Sequence, residues 1–72
     1  MINFHMKMEI IKDVIITYTD GKKDFFKAIN ISNKGIFTGR IMENNKFIDV
    51  GFIPKINIKF ITVNNKIISD YR

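Results

Sequence analysis

At 72 residues the chain has room for one domain, and without cysteine no disulfide or thiolate-bound metal can reinforce its small core. Twelve Lys and Arg against seven Asp and Glu give a net charge of +5, which suits a polyanionic partner, while 46% hydrophobic and 26% charged residues exclude a disordered tail. The longest uninterrupted apolar run is Val14-Ile15-Ile16, far short of the roughly 20 residues of a membrane-spanning helix.

Sixteen residues are isoleucine and none is leucine. β-Branched isoleucine fits a pleated strand and loses rotamer freedom in a helix, so the composition points to sheet. Residues 1–7 read as a mobile N-terminal segment ahead of a single β domain at 8–72, with Met6 and Met8 as alternative starts. That segment lacks the apolar stretch and small-residue cleavage site of a signal peptide, so the expected compartment is cytoplasmic. His5, the sole histidine, has no neighbouring carboxylate to orient it and reads as incidental.

Met8 to Thr19 (MEIIKDVIITYT) forms the first predicted strand, ended by Asp20-Gly21. If Gly21 takes the left-handed position of a three-residue loop, Val14 faces Phe26, Asp13 faces Lys27 and Ile15 faces Phe25, which pairs opposite charges and sets aromatics against β-branched partners. A two-residue loop would set Val14 against Lys27 and is disfavoured. Lys22 to Ile31 is the second strand, with a short helix capped near Asp20 as the alternative. Ser32 to Gly35 is a turn, and Ile36 to Met42 a strand with a bulge or bend at Gly39. Glu43 to Lys46 turns into Phe47 to Ile53, again bent at a glycine, Gly51. Pro54 interrupts the ladder, so Pro54-Lys55 is a break or a single 3-10 turn, Ile56 to Val63 is a strand, Asn64-Asn65 a turn, and Lys66 to Tyr71 the last strand.

The expected fold is therefore all-β, an antiparallel meander of five to six strands, strongly bent or closed as a small barrel. The break at Pro54 within Phe52 to Ile61 (FIPKINIKFI) resembles the layout of SH3-like and Sm-like barrels, where a bent meander is followed by a 3-10 turn and a final strand. The paired sequence motifs of the Sm family do not occur here, so the resemblance implies fold alone.

No nucleophile, acid–base or metal constellation stands out, and no enzyme, cofactor or metal is expected. Asp13, Asp20, Asp24, Glu43, Asp49 and Asp70 are the carboxylates to consider, with Asp49 the oddest because it interrupts an apolar strand. Gly35 to Arg40 holds two glycines and an arginine without the spacing of a phosphate loop. The expected function is a non-enzymatic binding module for nucleic acid. Lys55 and Lys59, alternating with buried-type residues on one strand, would form its lysine-rich face, extended by Lys27 and by Arg40, the only internal arginine. Phe37, Phe47 and Phe52 are candidate base-stacking residues, and Tyr18 and Tyr71 candidate partner contacts. The alternative is a protein-interaction or inhibitory module of a mobile element or virus. The first strand carries Ile10, Val14 and Ile16 on one face and Ile11 and Ile15 on the other. In the Ile56 to Val63 strand, Ile56, Ile58 and Phe60 share a face and Ile61 and Val63 break the phase. This excess predicts a homo-oligomer, most simply a dimer, through Ile10, Ile11 and Ile15 or through Phe60, Ile61 and Val63.

Overall fold

The computed structural model describes residues 9–72. The expected mobile segment at 1–7, with His5 and the alternative starts Met6 and Met8, lies outside the described residues. The chain folds as β1 (Glu9–Tyr18), β2 (Lys23–Ile31), β3 (Gly35–Ile41), β4 (Phe47–Pro54), a 3-10 turn (Lys55–Asn57), β5 (Ile58–Val63) and β6 (Lys66–Asp70). The six strands form one antiparallel sheet in the order β4-β3-β2-β1-β5-β6. The helix alternative for β2 is excluded. The ladder ends at β4 and β6, and no pairing joins these two edges among the described residues.

Turn chemistry sets the register. Gly21, at φ 89°, is the left-handed third residue of a three-residue loop; its N–H donates to the Tyr18 carbonyl, and the Tyr18 N–H donates to that of Lys22. Val14 then pairs with Phe26 and Ile15 with Phe25, the register expected from that loop. The β3–β4 turn repeats the device with different residues: Asn45 is left-handed at φ 65°, and Met42 and Lys46 close the loop as Tyr18 and Lys22 do. In both, an Asx side chain (Asp20 or Asn44) accepts from the N–H two residues on. Asn64 and Asn65 are both left-handed and make the two-residue β5–β6 turn that suits the right-handed strand twist.

The core contains Val14, Ile16, Ile29, Ile36, Ile58 and Ile61. A flat sheet would hold β3 and β5 about 14 Å apart, three strand spacings. A flat single sheet would also leave this face open. Yet Ile36 of β3 and Ile61 of β5 are both 0% exposed with no second layer among the described residues to cover them, so the sheet curls around its core. The 3-10 turn reports the same curvature. The Lys55 N–H donates to the carbonyl of Lys34, just past one end of β2, and the Asn57 carbonyl accepts from Thr19, just before the other. Nine straight residues would separate those ends by roughly 30 Å, and a three-residue turn reaches both only because β2 bends.

The bend shows in the side-chain alternation. Ile11 and Val14 both pack on the core, as do Ile29 and Phe26 opposite them, although each pair is three residues apart. The phase inverts at Asp13, which sits mid-strand at φ 55°, facing Lys27 between the pairs Lys12–Ala28 and Val14–Phe26. Ile10 is therefore on the outer face, not with Val14 and Ile16 as alternation predicts, and Ile11 is on the inner one. Asp13 and Lys27 form no ion pair; among the described residues the single ion pair is Arg72–Asp70.

Bulges shift the phase elsewhere. Thr38 pairs with Gly51 and Gly39 with Asp49, leaving Val50 as the extra residue, so the bends expected at Gly39 and Gly51 are one bulge. Lys59 is the extra residue between Ile58 and Phe60, and Ile68 that between Ile67 and Ser69. Ile58 and Phe60 consequently face opposite sides. The predicted Ile56–Ile58–Phe60 face does not exist, and Ile56, in the 3-10 turn, is 79% exposed.

Candidate cationic groove

The curvature of β1 and β2 opens a groove of about 440 Å³ lined by Lys12, Asp13, Lys27, Ala28, Arg40 and Ile41. Its three cations come from three adjacent strands. Lys12 pairs in register with Ala28, Ala28 with Gly39, and Lys27 and Arg40 are the next residues along their strands. All three are exposed, and none is engaged in an ion pair among the described residues. Asp13 is the sole carboxylate in the lining among the described residues, which gives those residues an excess of two positive charges.

Two of the four expected cations, Lys27 and Arg40, are thus brought together. Lys55 and Lys59 are not part of this groove, nor do they form one strand face. Lys55 opens the 3-10 turn beside Lys34, and Lys59 is the bulged residue of β5, its carbonyl accepting from Tyr71. The alternation that grouped them assumed a strand running from Ile56, and the strand begins two residues later. Lys12 is the cation that sequence reasoning missed. The register that pairs Asp13 with Lys27 also places Lys12 beside Ala28, and that was its one available signal.

Next to the groove, on the outer face, Asn30, Phe37 and Phe52 form a cross-strand row, two residue pairs along from Ala28 and Gly39. The rings of Phe37 and Phe52 are 4.8 Å apart and tilted by 52°. Phe52 is the more exposed of the two, and the pair borders an open hollow of about 370 Å³ with Ser32, Asn33 and Lys34. The Asn30 Oδ1 atom is buried without a hydrogen-bond partner. Phe47 is half-buried, its ring lying against Gly39. Asp49, opposite Gly39, points outward as an exposed edge-strand residue.

Both tyrosines pack against the core rather than standing free for a partner. Tyr18 donates its hydroxyl to Asp24 at 2.8 Å, and its phenol is pushed up to about 12, first by burial and then by that hydrogen bond. Of the six expected interface residues, Ile61 is fully buried, and Ile11 and Val63 pack on the core. Phe60 is half-buried with the Arg72 guanidinium over its ring at 5.2 Å, and Ile10 and Ile15 are the exposed ones. Among the described residues there is no cluster of three or more His, Cys, Asp or Glu that could hold a metal, and no helix long and apolar enough to cross a membrane.

No protein-family model, no curated protein and no solved structure matches this chain.

Proposed function

We propose that the protein is a non-enzymatic binding module whose ligand is single-stranded nucleic acid, held along the groove of Lys12, Lys27 and Arg40. The observation that carries this reading is the convergence of three unpaired cations from three strands around one carboxylate. A phosphate backbone neutralises such a cluster and releases counterions as it binds. The Phe37–Phe52 pair on the adjoining row supports a single strand over a duplex, since unpaired bases stack on exposed rings. Fluorescence anisotropy with unstructured DNA and RNA oligonucleotides at low salt tests it. Binding whose affinity falls with log[salt] at a slope of about −2, for three single-strand phosphate contacts, supports it. No binding at low salt overturns it.

A second reading, a protein-interaction module, rests on the far end of the β3–β4 hairpin. Beyond the bulge this hairpin contributes nothing to the core. Met42 and Ile48 are exposed around an open hollow that also includes Glu43, Asn44 and Lys46, and Val50, the bulged residue of the same edge strand, is exposed as well. Its mark would be a partner whose binding is insensitive to salt and lost in Val50→Glu.

A further inference from the structure

The outer face of the β2-β1-β5-β6 half of the sheet carries two complete cross-strand rows. One reads Phe25–Ile15–Thr62–Ile67, each residue paired in register with the next. The adjacent one reads Lys23–Thr17–Phe60–Asp70. Phe25 is 58% exposed, Ile67 48% and Ile15 37%, although Ile15 lies between the core residues Val14 and Ile16 and Phe25 beside the core-packed Phe26.

We infer that this face is a dimer interface between two copies of the chain, related by a twofold axis running along the strands between β1 and β5. Such an axis reverses each row across the interface. Phe25 of one copy then meets Ile67 of the other, and Ile15 meets Thr62. In the second row, Lys23 meets Asp70; between these ends Thr17 is 5% exposed and Phe60 lies under the Arg72 guanidinium, so the ends make the contact. Each row is complementary to its own reverse: large apolar ends meet large apolar ends, and a cation meets an anion. A twofold interface requires that self-complementarity of one surface. Within one copy Lys23 and Asp70 are three strand spacings, about 14 Å, apart and do not pair. Asp70 is held instead by Arg72, whose backbone N–H and guanidinium make four contacts to its two carboxylate oxygens, the shortest 2.7 Å. This fixes the carboxylate at the edge of the face, where the lysine of the second copy meets it as a charge. Two rows over four strands lie at the small end of stable interfaces, so the dimer is a reversible one of micromolar strength. This inference is independent of the cationic groove.

The chain has no cysteine, so introduced thiols report proximity without background. In the F25C/I67C double variant, a bismaleimide spanning about 10 Å, the separation of stacked sheets, should join two copies into a covalent dimer. Either single variant should stay monomeric under the same treatment, because like residues lie at opposite ends of the twofold row. Sedimentation of the unmodified protein should show a concentration-dependent dimer across the micromolar range. Phe25→Glu should weaken it at least about tenfold with an unchanged melting temperature, since the residue is exposed in the single chain. Ile67→Lys should do the same, and Val50→Glu, on the opposite edge of the sheet, should leave the dimer intact. A monomer at all concentrations overturns the proposal. So does cross-linking of the single variants equal to that of the double, or dissociation by Val50→Glu alone. A monomer that melts markedly lower with Phe25→Glu overturns it too, since another segment of the same chain then covers the face.

Discussion

Asp13 and Lys27 stand opposite each other at the point where both of their strands exchange inner and outer faces. Asp13 adopts φ 55° there, and the core residues on either side of it, Ile11 and Val14, are an odd number of positions apart. Left-handed backbone costs an L-residue about 1–2 kcal/mol, with Asp among the more tolerant side chains. Asp13→Val should therefore destabilise the fold by about 1–2 kcal/mol in urea denaturation, and Asp13→Gly should stay within about 0.5 kcal/mol of the parent or exceed it. At an ordinary exposed strand site the order would reverse, because valine favours strands and glycine weakens them. A Val variant more stable than the Gly variant would show that the bend does not depend on this dihedral.

Much of the fold was legible where local chemistry decides it. Asp20-Gly21 specified a three-residue loop and with it the β1–β2 register, Pro54 marked the 3-10 turn, and Gly39 marked a bulge. Phase was not legible. Period-two counting assigns faces only along an unbroken strand, and each of Asp13, Val50, Lys59 and Ile68 inserts a break. Every misplaced site residue follows from one of them or from the late start of β5. Ile10 was set with Val14 across Asp13, Phe60 with Ile58 across Lys59, and Lys55 was placed on a strand that begins at Ile58. Lys27 and Arg40 were attached to a Lys55–Lys59 face that does not form; they stand together because pairing between β2 and β3, which the turn fixes, places them side by side.

Two glycines are required for different reasons, and substitution should separate them. At Gly21 an added Cβ meets nothing within 4 Å, so Gly21→Val costs only backbone strain, about 1–2 kcal/mol. At Gly39 a Cβ would run into the Ile48 carbonyl and the Phe47 ring of the neighbouring strand. Even Gly39→Ala should cost about 1–3 kcal/mol, as overpacking does elsewhere. Thermal melts of the two variants check both values, with Gly21→Asn as a milder control that copies Asn45 of the matching turn. An unperturbed melt for Gly39→Ala would mean that β3 and β4 separate freely at the bulge.

Tyr18 makes the hairpin sensitive to alkali. Its phenol is raised from 10.0 to about 12 in the fold by burial and by donation to Asp24. A raised folded value favours the protonated form, so this contribution to stability is complete below pH 10 and is lost as pH climbs from 10 towards 12. Denaturation midpoints of the parent should fall over that window, and Tyr18→Phe should fall less, with Tyr71, also raised by burial, accounting for part of what remains. Parallel curves for parent and variant would show that the Tyr18–Asp24 hydrogen bond is not maintained in solution.

Charge and stacking in the proposed nucleic-acid site should separate by their salt dependence. Lys27→Ala and Arg40→Ala each remove one cation from the groove, so each should lower affinity for any single-stranded sequence and flatten the salt slope by about 0.7. Lys12→Ala should behave the same way. Lys59→Ala, outside the groove on its bulge, should change neither quantity by a comparable amount. Asp13→Asn should raise affinity at low salt, since it removes the one carboxylate that opposes the ligand. Phe52 acts differently, through a ring face and not a charge. Phe52→Ala should weaken single-strand binding by about 1–3 kcal/mol, leave the salt slope unchanged and have little effect on duplex binding. Equal losses for Lys27→Ala and Lys59→Ala would indicate diffuse attraction to a +5 chain in place of a groove, and an unchanged affinity for Phe52→Ala would remove stacking while leaving the charge reading intact.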